Sequence, residues 1–426
     1  MIDDILDRST AAKTAAPPPG DDAYPAYCDE LARQLEKRWG QVLAANRADV
    51  EVAAARGLPG PLVDRLTLVD AHLAALTRLT AVVRDALGVA TRPQQVTTLP
   101  SGVRVQRVPK AIGSILMIYE ARPTVTVEGA LLPVAVGNSV ILRGGREMAA
   151  TNAALGDAAT EAVAAAGLPP GMVQVLVDGD RSVLRALLGR GDAIDLLIPR
   201  GSPSLIDYCR TASRIPVVAS GGGVNHLYVH RSADLELATA IAVDSKVTEP
   251  TACNTLEMIL ADREVAVELA VMMLRQPGDA AAPLRLKVAA ELLEPLAAAG
   301  AAAEPLAAHD DGREFLDRTV GLRPVDGPPA AAAHIQRYGS QHTEGIVARD
   351  PEVTDWYRRT VDAAVLVVNG SLRLNDGPTM GRGPELSIST GRLHVRGPVG
   401  LSDLLTYSWV IDGGGCLRGT DPEVPR

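Results

Sequence analysis

The reactive residue that stands out is Cys253, in Thr251-Ala252-Cys253-Asn254-Thr255-Leu256-Glu257. A thiolate there can attack an activated carbonyl and hold the acyl group as a thioester. A cysteine isolated in an apolar sequence is, however, more often a small core residue. Cys28, Cys209 and Cys416 have only that core reading, with Cys209 inside a helical pattern. Two glycine-bearing turns could hold a phosphorylated ligand. In Arg143-Gly144-Gly145-Arg146 the glycines let backbone N–H groups approach a phosphate, and the helix expected to follow adds a favourable dipole. The two arginines suit a second phosphate, such as the 2′-phosphate of NADP. Pro199-Arg200-Gly201-Ser202 forms a second strand-to-helix junction of the same kind.

These residues need a frame, and the apolar pattern predicts one. Short apolar runs at Ser114–Tyr119, Ser139–Leu142, Met172–Val177, Ile194–Ile198 and Pro216–Ala219 read as strands. They alternate with helical segments at Arg146–Ala166, Arg181–Leu188 and Ser204–Ala212. Such alternation implies a parallel sheet covered on both faces, which binds ligands at the carboxyl ends of its strands. Upstream, apolar residues from Tyr27 to Leu87 recur at helical spacing, while residues 10–22 are low in complexity and read as mobile. Leu99–Val108, with a Ser-Gly turn and alternating residues, reads as a β-hairpin arm whose edge needs a partner. A second region starts near Asp234, with helices at Leu235–Ser245 and Glu264–Leu274 and a buried strand at Ala363–Asn369. The stretch 279–333, rich in Ala and Pro, reads as a variable surface, and the tail from Gly413 as loose.

Composition narrows the class. In 426 residues, 47 % hydrophobic and 22 % charged, there is material for two or three folded domains and no sign of disorder. A net charge of −9 and only 3 % aromatic residues argue against nucleic-acid binding. There is no long apolar run to span a membrane and no basic–apolar leader after Met1, so a cytoplasmic enzyme is expected. The four scattered cysteines form no metal-ligand spacing, so no metal is expected.

Several strings together resemble one family. Val108-Pro109-Lys110, Tyr119-Glu120-Ala121-Arg122-Pro123 and Gly137-Asn138-Ser139-Val140-Ile141-Leu142-Arg143-Gly144-Gly145 are similar to segments of the γ-glutamyl phosphate reductases, in the aldehyde dehydrogenase superfamily. The similarity continues through Ile198-Pro199-Arg200-Gly201, Cys253–Glu257 and Tyr338-Gly339-Ser340-Gln341-His342-Thr343-Glu344 to His394 and Arg396-Gly397-Pro398. The resemblance implies an aldehyde dehydrogenase-like α/β fold: a doubly wound parallel-sheet cofactor domain, an α/β catalytic domain and a β-hairpin oligomerisation arm. It places the cofactor domain at 1–97 and 110–232, with 371–396 returning to it. It places the catalytic domain at 233–370, and the arm and tail at 98–109 and 397–426. It implies NADPH-dependent reduction of L-glutamyl 5-phosphate to glutamate 5-semialdehyde in proline synthesis, with a separate glutamate kinase upstream and a homodimer or larger homo-oligomer. Cys253 is then the nucleophile, with Thr124 and Asn254 beside it in catalytic roles. Arg143, Gly144, Gly145, Arg146, Pro199, Arg200, Gly201 and Ser202 would bind the cofactor, and Arg122, Lys246, Glu249, Arg382 and Arg396 the substrate.

The chain departs from the family pattern at four places. Thr124 stands where an asparagine donates to the oxyanion, and Glu249 replaces an arginine before Pro250. Asn225 replaces a cysteine in Gly223-Val224-Asn225-His226, and Arg382 enters an otherwise apolar string. Hydrolytic aldehyde dehydrogenases carry a glutamate base in the segment resembling Ser220–Asn225, and none is present here. Besides ordinary reductase activity, the departures admit a paralogue acting on a modified glutamyl phosphate, or a non-catalytic scaffold.

Overall fold

The computed structural model describes residues 2–177, 179–219, 222–276 and 283–418. The expectations that fall on Ser220, Gly221, residues 279–282 and the tail from 419 lie outside them. The chain forms two compact units. One comprises Met1–Ala219, Arg382–Ser387 and Val399–Arg426; the other comprises Ser220–Gly381 and Ile388–Pro398. The division therefore falls before the strand Asn225–Val229, not at 232/233. Of the stretch 371–396, only Arg382–Ser387 belongs with the first unit.

In the first unit a four-stranded parallel sheet has the order Val173–Leu176, Ser139–Arg143, Ser114–Tyr119, Leu196–Arg200. Val140, Ile141, Leu142 and Ile115 to Ile118 are buried on both faces, as a parallel sheet between helix layers requires. The chain winds outward from Ser114–Tyr119 through two strands, then returns to pair Leu196–Arg200 on the other side. The switch in direction thus lies between the carboxyl ends of Ser114–Tyr119 and Leu196–Arg200. Pro216–Ala219, expected as a fifth strand, supplies a single bridge from Val217 to Leu197, since Pro216 has no N–H for a ladder.

The N-terminal stretch differs from its sequence reading. Ile2–Ala15 is helical and buries Ile5, Leu6, Ser9 and Ala12 at three- and four-residue spacing. The alanines that lower its complexity are also good helix formers. Pro17 to Pro19 then leads into the 33-residue helix Ala23–Ala55, with Tyr24 Oη donating to the Pro17 carbonyl at 2.5 Å. That long helix caps another. The Asp49 carboxylate accepts from Ala150 N at 3.3 Å and from Thr151 N and Oγ1 at 2.7 Å, at the first turn of Ala149–Ala165.

The hairpin is present as Gln94–Thr98 and Arg104–Ala111, turning at Gly102, whose φ of +86° suits glycine. Arg104–Ala111 is a central strand: Leu405–Asp412 pairs antiparallel along its other side. The outer edges of this three-stranded sheet are Gln94–Thr98 and Leu405–Asp412, and on the latter Trp409 is 53 % and Ile411 66 % exposed.

The second unit holds a seven-stranded parallel sheet. Its order is Glu304–Pro305, Arg285–Val288, Thr319–Val325, Leu256–Asp262, Asn225–Val229, Thr343–Val347, Val365–Val368. Alternate residues feed two cores. Leu227, Val229, Ile259 and Ala261 pack in a cluster with residues of the helices Leu235–Val247, Arg263–Leu274 and Ala290–Ala298. Tyr228, Met258 and Leu260 pack in a cluster with residues of Pro328–Tyr338 and Pro351–Thr360. The described part of 279–333 thus contributes sheet and helix to the core rather than a variable surface. Among the described residues no helix is long and apolar enough to cross a membrane.

The Asp49 cap gives an expected outcome. Asp49→Ala should cost about 1–2 kcal/mol in urea unfolding, and Asp49→Asn less, because its amide oxygen still accepts. Equal losses would show that the helix start does not depend on this acceptor.

Candidate functional site

Cys253 lies in a turn between the helix Leu235–Val247 and the strand Leu256–Asp262, and it is half-buried. Cys28 and Cys209 are wholly buried, and burial pushes their thiols up to about 12 and about 11. Those two are inert core residues, as expected, while Cys253 is placed where a reagent can meet it. Cys416 is exposed, which overturns its core reading.

Side chains hold the cysteine turn. Asn225 Nδ2 donates to the carbonyls of Cys253 at 2.8 Å, Thr255 at 2.7 Å and Gly223 at 3.0 Å, and Asn225 Oδ1 accepts from Thr343 N at 3.1 Å. A Cβ at Gly223 would overlap the Cys253 carbonyl, so the two backbones run in contact. Gly223 N donates to Glu314 Oε1 at 2.8 Å. Asn254, expected in a catalytic role, donates its amide to the Asn375 carbonyl at 2.8 Å and is 5 % exposed, so its amide hydrogens anchor the loop. Asn375 in turn donates to Thr343 Oγ1 at 2.8 Å, and Thr343 Oγ1 lies 2.8 Å from His342 Nδ1.

Lys246, expected to meet a substrate phosphate, is wholly buried, with Nζ 2.8 Å from Glu257 Oε2. Phe315 N donates to the same oxygen at 3.1 Å. Desolvation pushes the Glu257 carboxyl up to about 8 and the Lys246 amine down. A lysine engaged inside the core cannot present its charge to a ligand in solvent, so the phosphate expectation is corrected. Glu249 is 60 % exposed on its side chain and accepts from Arg373 Nη2 at 2.6 Å, so the reversed charge is balanced within the chain. Arg396 Nη1 lies 2.6 Å from Asp362 Oδ1, and its Nε and Nη2 are buried without a partner, facing a need for an acceptor.

In the first unit, Thr124 begins the helix Thr124–Ala135 and is half-buried; Arg122 is exposed just before it. Arg382 lies 3.4 Å from Asp403 Oδ2. At the first glycine turn, Arg143 is 8 % exposed and its Nη2 donates to the carbonyls of Gly179 and Asp180 at 3.2 Å. Arg143 therefore fastens a loop instead of meeting a 2′-phosphate. Gly144 and Gly145 leave room for the Asn152 amide and the Glu147 carboxylate, and neither has a positive φ. The amides at the start of Ala149–Ala165 are capped by Asp49, which removes the expected helix-terminus phosphate site. Arg146 remains exposed at this turn.

At the second turn, Ser202 caps Pro203–Ala212 by accepting from Leu205 N, and Ser202 N donates to Glu120 Oε2 at 3.0 Å. A Cβ on Gly201 would sit 2.6 Å from the same carboxylate oxygen. Pro199 and Arg200 end the adjoining strand, at the switch in chain direction. An open sheet edge with glycine at 201, a carboxylate able to accept from a ribose hydroxyl and exposed Arg146 fits a dinucleotide. It does not fit a phosphate on the first helix terminus. Sequence reading missed Asp49, Glu120, Asn225 as a donor hub, and Glu314 and Phe315. Asn225 had a signal, as an unusual residue in a familiar string, and Glu120 lies in another such string. Among the described residues no group of three or more His, Cys, Asp and Glu could hold a metal ion.

A model of the aldehyde dehydrogenase family matches residues 28–276. A γ-glutamyl phosphate reductase of Symbiobacterium thermophilum is 42 % identical over 404 residues, 92 % of this chain and 94 % of the relative. The crystal structure of γ-glutamyl phosphate reductase from Thermotoga maritima superposes with a TM-score of 0.90 at 30 % identity, covering 98 % of this chain and 99 % of that one. An engineered glycolyl-CoA reductase with bound NADP+ shares the fold at a TM-score of 0.67 and 14 % identity, each chain covered to 96 %.

The buried imidazoles set an acid limit. Desolvation holds both His342 and His334 down to about 4, below the unfolded value of about 6.5. Between these values the unfolded chain binds more protons, so stability is lost as pH falls. Thermal midpoints should drop from pH 6.5 toward 4, and His342→Gln should flatten that slope. An unchanged slope would remove His342 from the account.

Proposed function

Because this chain belongs to the aldehyde dehydrogenase family and, within it, to the γ-glutamyl phosphate reductases, we propose that it reduces L-glutamyl 5-phosphate to glutamate 5-semialdehyde and phosphate with NADPH, through a thioester on Cys253. The reaction is the second step of proline synthesis. The observation that carries the reading is the partly open Cys253, held in a turn by hydrogen bonds from side chains, in a chain whose Cys28 and Cys209 are sealed.

The Cys253 thiolate attacks the acyl carbonyl, the C–O bond to phosphate breaks with its electron pair, and a thioester remains. A nicotinamide cofactor, when bound, would supply the hydride that reduces this thioester. Sulfur then departs as the carbonyl re-forms and the aldehyde is released. Each addition places negative charge on the former carbonyl oxygen, and Cys253 N–H is the proposed donor to it. Arg146, Arg200, Gly201 and Ser202 are the proposed cofactor contacts. The unsatisfied nitrogens of Arg396 are the proposed contact for an anionic group of the substrate. The charged departures at Glu249 and Arg382 have counter-ions in Arg373 and Asp403, which supports the unmodified substrate over a modified one.

We place the reaction in the cytoplasm, downstream of a separate glutamate kinase. The exposed outer strands Gln94–Thr98 and Leu405–Asp412 support a homodimer or larger homo-oligomer, because unpaired strand edges with exposed Trp409 and Ile411 are sites of association.

NADPH absorbance with L-glutamyl 5-phosphate, or NADP with the semialdehyde and phosphate, tests the assignment. Cys253→Ala should lower kcat on the order of 10⁴-fold or more. Better turnover of an N-substituted analogue would overturn the substrate, and full activity of Cys253→Ala the mechanism. In light scattering the chain should be at least dimeric and Trp409→Asp with Ile411→Asp should shift it toward monomer; a monomeric parent would remove the association.

A further inference from the structure

We infer that Asn225 is a positioning residue for Cys253: its amide gathers the carbonyls of Gly223, Cys253 and Thr255 and so fixes the backbone from which the thiolate acts. The inference rests on the reading of Cys253 as the nucleophile.

The cysteine turn has little regular structure to hold it. Backbone bonds within it include Ala252 N to the Glu249 carbonyl at 3.1 Å and Thr255 N to the Ala252 carbonyl at 3.2 Å. Where the turn joins the sheet, the ladder between Asn225–Val229 and Leu256–Asp262 is irregular. Asn225 stands opposite Leu256, but His226 stands opposite Met258, so Glu257 is bulged out of register. Asn225 supplies at this gap what the ladder does not. Its Nδ2 carries two hydrogens and lies within 3.0 Å of three carbonyl oxygens, so at least one hydrogen is shared.

The orientation of the amide is fixed as well. Thr343 N donates to Oδ1 at 3.1 Å, which directs the NH₂ group toward the carbonyls. Asn225 is wholly buried, so water cannot replace it. The partner strand is held in its own right, because Gly223 N is bonded to Glu314 and Gly223 lies against the Cys253 carbonyl. Alanine would leave three carbonyls without this donor. Aspartate would set an acceptor against acceptors unless it were protonated.

The test uses the full chain with Asn225→Ala, Asn225→Asp and Cys253→Ser. Asn225→Ala, folded by its cooperative melt, should lose roughly 30- to 100-fold in kcat while its KM for glutamyl phosphate changes little. Iodoacetamide should alkylate Cys253 more slowly than in the parent, whereas exposed Cys416 keeps its rate as the internal reference. Asn225→Asp should recover toward the parent rate as pH is lowered, since the protonated carboxyl regains one donor. A kcat and a Cys253 alkylation rate within twofold of the parent in folded Asn225→Ala, or in Asn225→Ser if the alanine variant does not fold, overturn the inference. If Cys253→Ser still turns over, the nucleophile assignment is what fails. If it is inactive while the Asn225 variants are unaffected, only the positioning role is lost.

Discussion

Backbone groups at the ends of buried parallel strands and at helix starts have no ladder partner, and the dry interior makes leaving them unpaired costly. Both regions where chemistry is expected sit at such places. In the first unit carboxylates answer the need: Asp49 takes the amides of Ala150 and Thr151, Glu120 takes Ser202 N, and Glu147 accepts from Ala121 N at 2.8 Å. In the second, amides do so: Asn225 and Asn254 donate to carbonyls around the cysteine turn. The sign follows from the group to be satisfied, since helix starts expose donors and this turn exposes acceptors.

One consequence is that charge near the site is largely neutralised from within. Lys246 meets Glu257, Arg373 meets Glu249, and Arg143 holds two carbonyls. Lys246 and Arg143 both read, in the sequence, as ligands for an anion. The Lys246–Glu257 pair is wholly buried, and separating it would leave an unpaired polar group in the core, so Lys246 is not freed to follow a substrate. The groups left for an anionic ligand are those with exposure, such as Arg146, or with unsatisfied donors, such as Arg396.

This explains how far the sequence could be read. Strands and helices of the first sheet were legible because both-face burial produces unbroken apolar runs, as in Ser114–Tyr119, and the helices between carry their own period. Cys253 was legible because a familiar string surrounds it. The alanine-rich start was misread because low complexity and helix propensity look alike there, until Ile5, Leu6 and Ala12 find a core. Arg285–Val288 and Thr319–Val325 were missed because short strands amid Ala and Pro lack a period of their own and depend on pairing with Leu256–Asp262 and each other. The roles of Arg143 and Lys246 were illegible because a residue type shows the charge available and not the partner that packing will give it.

The close approach at the cysteine turn also bears on which reaction could follow the proposed acylation of Cys253. Position 223 lies against the Cys253 carbonyl so closely that no side chain fits there, glutamate included. Glu314 reaches this stretch from a distant part of the chain, but one of its oxygens is engaged by Gly223 N–H at 2.8 Å. Under the proposed reaction a glutamate base at position 223 would displace the Cys253 carbonyl, so at that position the exclusion of a hydrolytic base is steric.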